Sequence, residues 1–451
     1  MLTYYMQLAW LSVKRTPIIS SLMIVTLAVG VAVSMTMVTL QHVMSANGLA
    51  EQNDRIYALQ LANGTKNQDD NNLLKNGLPD LLTYRTARAL LASNAAPHVV
   101  AMHRWAAAVS LADNSVKATK EVIRVSSRDF FALFGVPFIY GKVWDKSADD
   151  DARFQVVIDR TMNDRLFNGE NSVGRDVQLN GRPYQVVGVV EDFTPNPSVQ
   201  DLTQGSYAGN AHVYLPFGLH RALQMLPYGN MRYSSSKDSN ASAATAAQTP
   251  EQRYERILQD RYFWLQIWVE LPDEQSKATL VNFLQHYFEE QHKNGFFERD
   301  FDYALSTPSE WLALNNVVSN DTRVMTWMAL AFLLVCIINS VALLLAKLLR
   351  QSSEAGVRRA LGATRSAIFS QNLIESGLIG LVGGILGIAF SQLGLGFVRM
   401  LVSADEAKVV YSDGFTILLT VLIAIIASLL AGCYPAWRIS QISLAQSLKS
   451  R

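Results

Sequence analysis

The chain has 451 residues, 49% hydrophobic and only 17% charged, and its 39 basic and 38 acidic side chains leave a net charge of +1. So even a balance gives no electrostatic ground for a nucleic-acid partner. The only two cysteines, Cys336 and Cys433, lie in apolar stretches, which excludes a disulfide framework from the long polar middle and is compatible with an extracytoplasmic location for it.

Residues 1–16 set Tyr4, Tyr5 and Trp10 beside Lys14 and Arg15, the mixture expected of an amphipathic helix lying on the inner membrane surface. From Ile18 to Met44 there is no Asp, Glu, Lys or Arg. A helix of about 20 such residues crosses the hydrocarbon core, so 17–44 reads as a first span. A cleaved signal peptide is the rival reading, but its apolar region would run to only about 7–15 residues, and an uncleaved anchor is expected.

The polar stretch 45–323 is long enough to fold by itself. Its start and end read alike: strand Asp54–Leu61, helix Asp80–Ala92 and strand Val99–Leu111, then strand Tyr262–Leu271, helix Glu274–His292 and strand Phe301–Ser306. Two β-α-β units predict a ferredoxin-like module split by an insertion at about 112–260. The insertion is β-rich, with short runs at Val122–Val125, Gln155–Ile158, Asp176–Leu179 and Tyr184–Val190, and Asn180-Gly181 as a hairpin turn. Ser234–Gln248 is low in complexity and predicts a mobile surface loop.

Further spans are predicted at 324–346, 367–398 and 415–437, with a short loop at 399–414. Basic residues beside the spans (Lys14, Arg15, Lys347, Arg350, Arg358, Arg359, Arg365, Arg438, Lys449, Arg451) fall on one side if four helices alternate. That side is cytoplasmic, with both termini and the tail 438–451, and the large domain lies opposite. The third span carries Gly380, Gly383, Gly384 and Gly387, a spacing that lets another helix approach closely. Its one acid, Glu375, lies about two turns in, and is expected to reach the headgroups or cap a neighbouring helix.

The short loop 347–366 is basic, with Gly356 and Gly362 as helix breakers and Val357, Ala360, Leu361 and Ala363 as a small apolar face. It suits docking onto another protein, and equally a topology loop without a partner. Enzyme signals are poor. Gly135 to Gly141-Lys142 has five intervening residues where a phosphate loop needs four, with Val143 in place of Ser or Thr. His98 with His103 and His286 with His292 do not have the spacing of two metal ligands on one helix face, and no catalytic or metal-binding residue is assigned.

Several blocks nonetheless resemble one family: the permease subunits of MacB/FtsX-like, mechanotransmitting (type VII) ABC transporters. They are V-S-S-R-D-F-F-A-L-F-G-V-P at Val125–Pro137, R-L-F at Arg165–Phe167, V-G-R at Val173–Arg175, L-N-G-R-P-Y-Q-V-V-G-V-V at Leu179–Val190, E-A-G-V-R-R-A-L-G-A-T-R at Glu354–Arg365, E-S-G-L at Glu375–Leu378 and Y-P-A-W-R-I-S at Tyr434–Ser440. The resemblance implies an α-helical membrane domain of four transmembrane helices with a large α+β periplasmic domain, in the inner membrane. It further implies that Glu354, Val357, Arg358, Arg359, Leu361, Gly362 and Ala363 contact a separate ATP-binding cassette subunit, which would hold ATP and Mg, no cofactor being expected in this chain. A second permease chain, identical or paralogous, completes the expected unit. In some members of the family a periplasmic adaptor and an outer-membrane duct join it, and the work done is export of a peptide, antibiotic or other amphipathic molecule. The alternative it leaves open is a signalling or regulatory role, in which the same motion activates a periplasmic enzyme or sensor without transport. This sequence departs from the family in the absence of a fused cassette, in Gly356, and in Ser234–Gln248.

Overall fold

The computed structural model describes residues 2–45, 48–65, 73–113, 115–206, 211–229, 231–234, 249–317, 320–350, 357, 362–401 and 414–441. It divides into two compact units, one of Ala46–Val317 and one of Met1–Ser45 with Val318–Arg451. The chain opens with α1 (Leu2–Arg15) and α2 (Pro17–Ser45). Pro17 starts α2 where the missing N–H leaves no bond unmade.

The soluble unit begins with β1 (Ile56–Leu61), β2 (Leu82–Thr83), α3 (Tyr84–Ser93) and β3 (Val99–Ser110). The helix expected from Asp80 starts four residues later. Thr83 is extended and its hydroxyl accepts the Thr86 N–H, so the cap fixes the boundary. Asp80 is instead paired with Arg232. The insertion carries β4 (Thr119–Ser126), α4 (Phe130–Leu133), β5 (Phe138–Gly141), α5 (Lys146–Asp150), β6 (Gln155–Asp159), α6 (Arg160–Phe167), β7 (Asp176–Leu179), β8 (Arg182–Val190), β9 (Val213–Pro216), α7 (Leu219–Ala222), β10 (Arg232–Tyr233) and α8 (Pro250–Gln259). The unit closes with β11 (Tyr262–Glu270), α9 (Glu274–Lys293), β12 (Tyr303–Ser306) and α10 (Pro308–Leu314).

Among the described residues twelve strands join in one sheet, with the main path β12-β1-β11-β3-β4-β9-β6-β8-β5. The first four are antiparallel to their neighbours, because β1-α3-β3 and β11-α9-β12 interleave. Two parallel pairs, β4 with β9 and β6 with β8, mark the insertion. Between β7 and β8, Asn180 and Gly181 both have positive φ, 50° and 76°, as a two-residue hairpin turn requires. Side chains alternate between the two faces of β1. Tyr57, Leu59 and Leu61 enter a core with α3 and α9, while Ile56 and Ala58 enter one with Phe130, Trp144, Trp268 and Trp311. A third core, around Ile123, Ile158, Leu166 and Val213, belongs to the insertion. Residues 235–248 of the expected loop lie outside the described residues, and Ser234 is buried with its hydroxyl 2.8 Å from that of Thr65.

The membrane unit continues with α11 (Asn320–Arg350), α12 (Arg365–Leu401) and α13 (Gly414–Ser440). With α2 these give four helices long and apolar enough to span a bilayer. α12 packs against α2, α13 and α1. The N-terminal helix, expected from its sequence to be amphipathic, packs on α12 with Ala9 fully buried.

Candidate functional site

The stretch between α11 and α12 is where the sequence places a docking segment. Of its residues, Glu354, Arg358, Arg359 and Leu361 lie outside the described residues. Val357 is exposed, Gly362 has φ +99° in open space, and Ala363 is half-buried. A left-handed backbone at Gly362 suits only glycine comfortably and turns the chain just before α12. The Thr364 hydroxyl then accepts the Ala367 N–H at 3.2 Å, capping the new helix.

The four glycines of α12 divide between two neighbours. A methyl group on Gly380 would overlap Ser428 of α13, and on Gly384 it would stand 2.8 Å from the Ala424 Cβ. On Gly383 it would be 3.3 Å from the Leu27 Cβ of α2, and on Gly387 2.9 Å from the Val31 Cγ1. Offsets of four residues keep each pair on one face, and the three-residue step from Gly380 to Gly383 changes neighbour. A polar bond reinforces the approach of α13, the Ser428 hydroxyl donating to the Ser376 carbonyl, and α2 is tied separately to α11 by the Ser34 hydroxyl, which donates to the Ala329 carbonyl at 2.8 Å.

Glu375 does not reach the headgroups. Its side chain is 2% exposed and its Oε1 stands 2.5 Å from the Nζ of Lys347, which is fully buried. Lys347 Nζ also donates to Ser20 Oγ at 3.1 Å, and Ser12 Oγ donates to Glu375 Oε1 at 2.8 Å. The Lys347 charge is thus matched inside the bundle. Glu375 is visible in the sequence as an acid within an apolar run, and Lys347 as a basic residue just beyond one. Their pairing is not, since it depends on the relative rotation of α11 and α12.

In the soluble unit a buried polar lock, which no local pattern signals, joins β3, β4 and β11. Asp201 takes Arg104 Nε at 2.5 Å, Arg124 Nη1, Gln266 Nε2 at 2.6 Å and the Thr203 hydroxyl at 2.6 Å. Burial by itself would raise the Asp201 pKa, but the Arg124 and Arg104 guanidiniums outweigh it and hold the carboxyl well below the usual range. Beside it, burial lowers His103 to about 4, and its Nδ1 donates to the Arg104 carbonyl at 3.0 Å. His98 is elsewhere, 3.5 Å from Asp129. A cleft of about 580 Å³ between α3 and α5 is lined by Arg88, Arg128, Lys146, Asp129 and Asp149. Burial pushes Asp149 up to about 6 against hydrogen bonds from Arg128 N, Phe217 N and Trp144 Nε1. Among the described residues no group of three or more His, Cys, Asp and Glu side chains could hold a metal ion.

Two family models match in succession: the MacB-like periplasmic core domain over residues 20–287 and the FtsX-like permease C-terminal region over residues 327–444. A macrolide export ATP-binding/permease protein MacB of Acinetobacter baylyi is 26% identical over 301 residues, 66% of this chain and 38% of that protein. A MacB 2 of Yersinia pestis is 24% identical over 334 residues, 74% of this chain and 42% of its own length. The chain therefore spans well under half of these relatives. Among solved structures, the periplasmic region of MacB from Actinobacillus actinomycetemcomitans matches 59% of this chain and 94% of its own, at 14% identity and a TM-score of 0.34.

Proposed function

Because this chain belongs to the MacB/FtsX-like family of ABC transporter permeases, we propose that it couples ATP hydrolysis on a separate cassette subunit to motions of its periplasmic domain. Those motions export a peptide, antibiotic or other amphipathic molecule. The observation that carries this reading is the order of the two family matches: the periplasmic-core match begins within α2 and runs on through most of the soluble unit, and the permease region holds the remaining three spans. A soluble domain tied at both ends to membrane helices can be moved by them, and helices ending beside a cytoplasmic segment can be moved from it.

In this proposal Glu354, Val357, Arg358, Arg359, Leu361, Gly362 and Ala363 form the contact with the cassette, where ATP and Mg bind. Both termini are cytoplasmic, and a second permease chain allows two cassettes to close on ATP. The macrolide export named for the relatives supports an export role. An adaptor and an outer-membrane duct are the further partners this proposal adds.

The test is intact-complex mass spectrometry after purification from native membranes in mild detergent. Two cassettes with two permeases are expected, and an adaptor among the copurifying chains would support efflux. A periplasmic hydrolase or sensor in its place would move the assignment to the regulatory role, and repeated isolation without a cassette would overturn it. Within the complex, replacing Arg358 and Arg359 together by Glu is expected to uncouple ATP turnover from output while the chain remains inserted, as measured by ATPase assay beside a cargo assay.

A further inference from the structure

Five helices meet around one turn of α12. Glu375 bonds to Lys347 of α11 and Ser12 of α1, Lys347 bonds to Ser20 of α2, and the next residue, Ser376, accepts from Ser428 of α13. Lys347 stands in the last turn of α11 and Glu375 in the third turn of α12, so the pair joins the two helices that flank the 351–364 segment. Both side chains are out of contact with solvent.

A buried ion pair is a poor source of stability, since desolvating two charges offsets most of their attraction. It does fix register, because opposite charges in an apolar bundle meet at bonding distance for only one rotation and translation of the helices that carry them. A shift of one helix past the other must either break the pair or drag its partner along. Breaking it leaves isolated charges in an apolar setting, so dragging is favoured.

We propose that Lys347 and Glu375 are positioning residues that make the ends of α11 and α12 move as one body and hand that motion to α1 and α2 through Ser12 and Ser20. The inference rests on the coupling role proposed for the 351–364 segment. It adds where the displacement goes: into the N-terminal helix and the first span, the element from which the chain enters the soluble unit.

The experiment uses the full chain with its copurified cassette in lipid nanodiscs. A nitroxide label enters at Ser45 through an unnatural amino acid, leaving Cys336 and Cys433 in place, so that the separation is read between the α2 ends of the two permease chains in the complex. ATP turnover and the ATP-dependent change in label separation are measured together. The wild type is expected to change separation on ATP. The double variant Lys347→Met with Glu375→Leu, in which no charge is left unpaired, is expected to keep its turnover and lose the change. The swapped pair, Lys347→Glu with Glu375→Lys, is expected to regain it. Should the apolar pair not assemble, Lys347→Gln with Glu375→Gln, which leaves no charge unpaired and can still accept from Ser12, reports the same loss. An apolar pair that keeps the full change would overturn the proposal and reduce the ion pair to packing. A wild type that hydrolyses ATP with no change in separation would overturn the coupling role itself, and the two failures are distinct in the data.

Discussion

Asp201 has two cations as neighbours, Arg104 and Arg124, and all three side chains are almost completely buried. Removing the anion leaves two guanidiniums without a counter-charge, so Asp201→Asn is expected to destabilise the soluble unit by about 3–5 kcal/mol, measured by chemical denaturation. His103 sets a pH dependence of definite sign. Its folded pKa of about 4 lies below the ordinary 6.5, so between those values the unfolded chain binds more protons than the folded one. Its contribution is complete above pH 6.5 and is lost as pH falls toward 4, a change on the order of 3 kcal/mol. Asp149, pushed up to about 6, acts in the opposite direction over part of the same range. The comparison is therefore between wild type and His103→Phe, and the variant is expected to lose less stability from pH 7 to 4. Equal slopes would show that His103 does not carry the effect.

The glycines of α12 make the case at the scale of elements. Gly380 has no room for a methyl group against Ser428, whereas Gly396 has nothing within 4 Å of the same position. Gly380→Leu is expected to separate α12 from α13 and lower the yield of monodisperse protein in detergent, with overpacking costing about 1–3 kcal/mol or more. Gly396→Ala is expected to leave the yield unchanged. Thermal stability by light scattering distinguishes the two. Such facing pairs were legible from spacing, but the identity of the neighbour was not. The same division runs through the fold. Four apolar runs, the order of strands and helices at the two ends of the soluble unit, and the Asn180-Gly181 turn all follow from local sequence. The start of α3 depended on a threonine cap, and α6 and β9 are short elements stabilised by tertiary packing rather than by a strong pattern of their own. The bonds of Asp201 join residues 97 and 77 positions apart, which no local period reports. The pairing of Lys347 with Glu375 is not legible either, because depth in a helix says nothing about what the next helix presents.

For the whole molecule, the division at residues 46 and 317 predicts that the soluble unit has its own cores and folds without the spans. Expressed alone, it is expected to be monomeric and to unfold in a single cooperative transition; a molten, dye-binding product would contradict this.

The chain enters the soluble unit ahead of β1 and leaves it through α10, which follows β12, and the two strands are antiparallel partners, with Ala58 opposite Ser306 at the shared end. Asn53 adds two bonds there, to the backbone N–H of Ser309 at 3.2 Å and its hydroxyl at 2.8 Å. Tension that separates the two attachment points would peel this ladder open one rung at a time, the weak way to load a pair of strands. Tension that carries both points in the same direction loads no rung. The attachment is thus tolerant of a shared stroke and brittle to a splayed one, a mechanical filter built from a single strand pair.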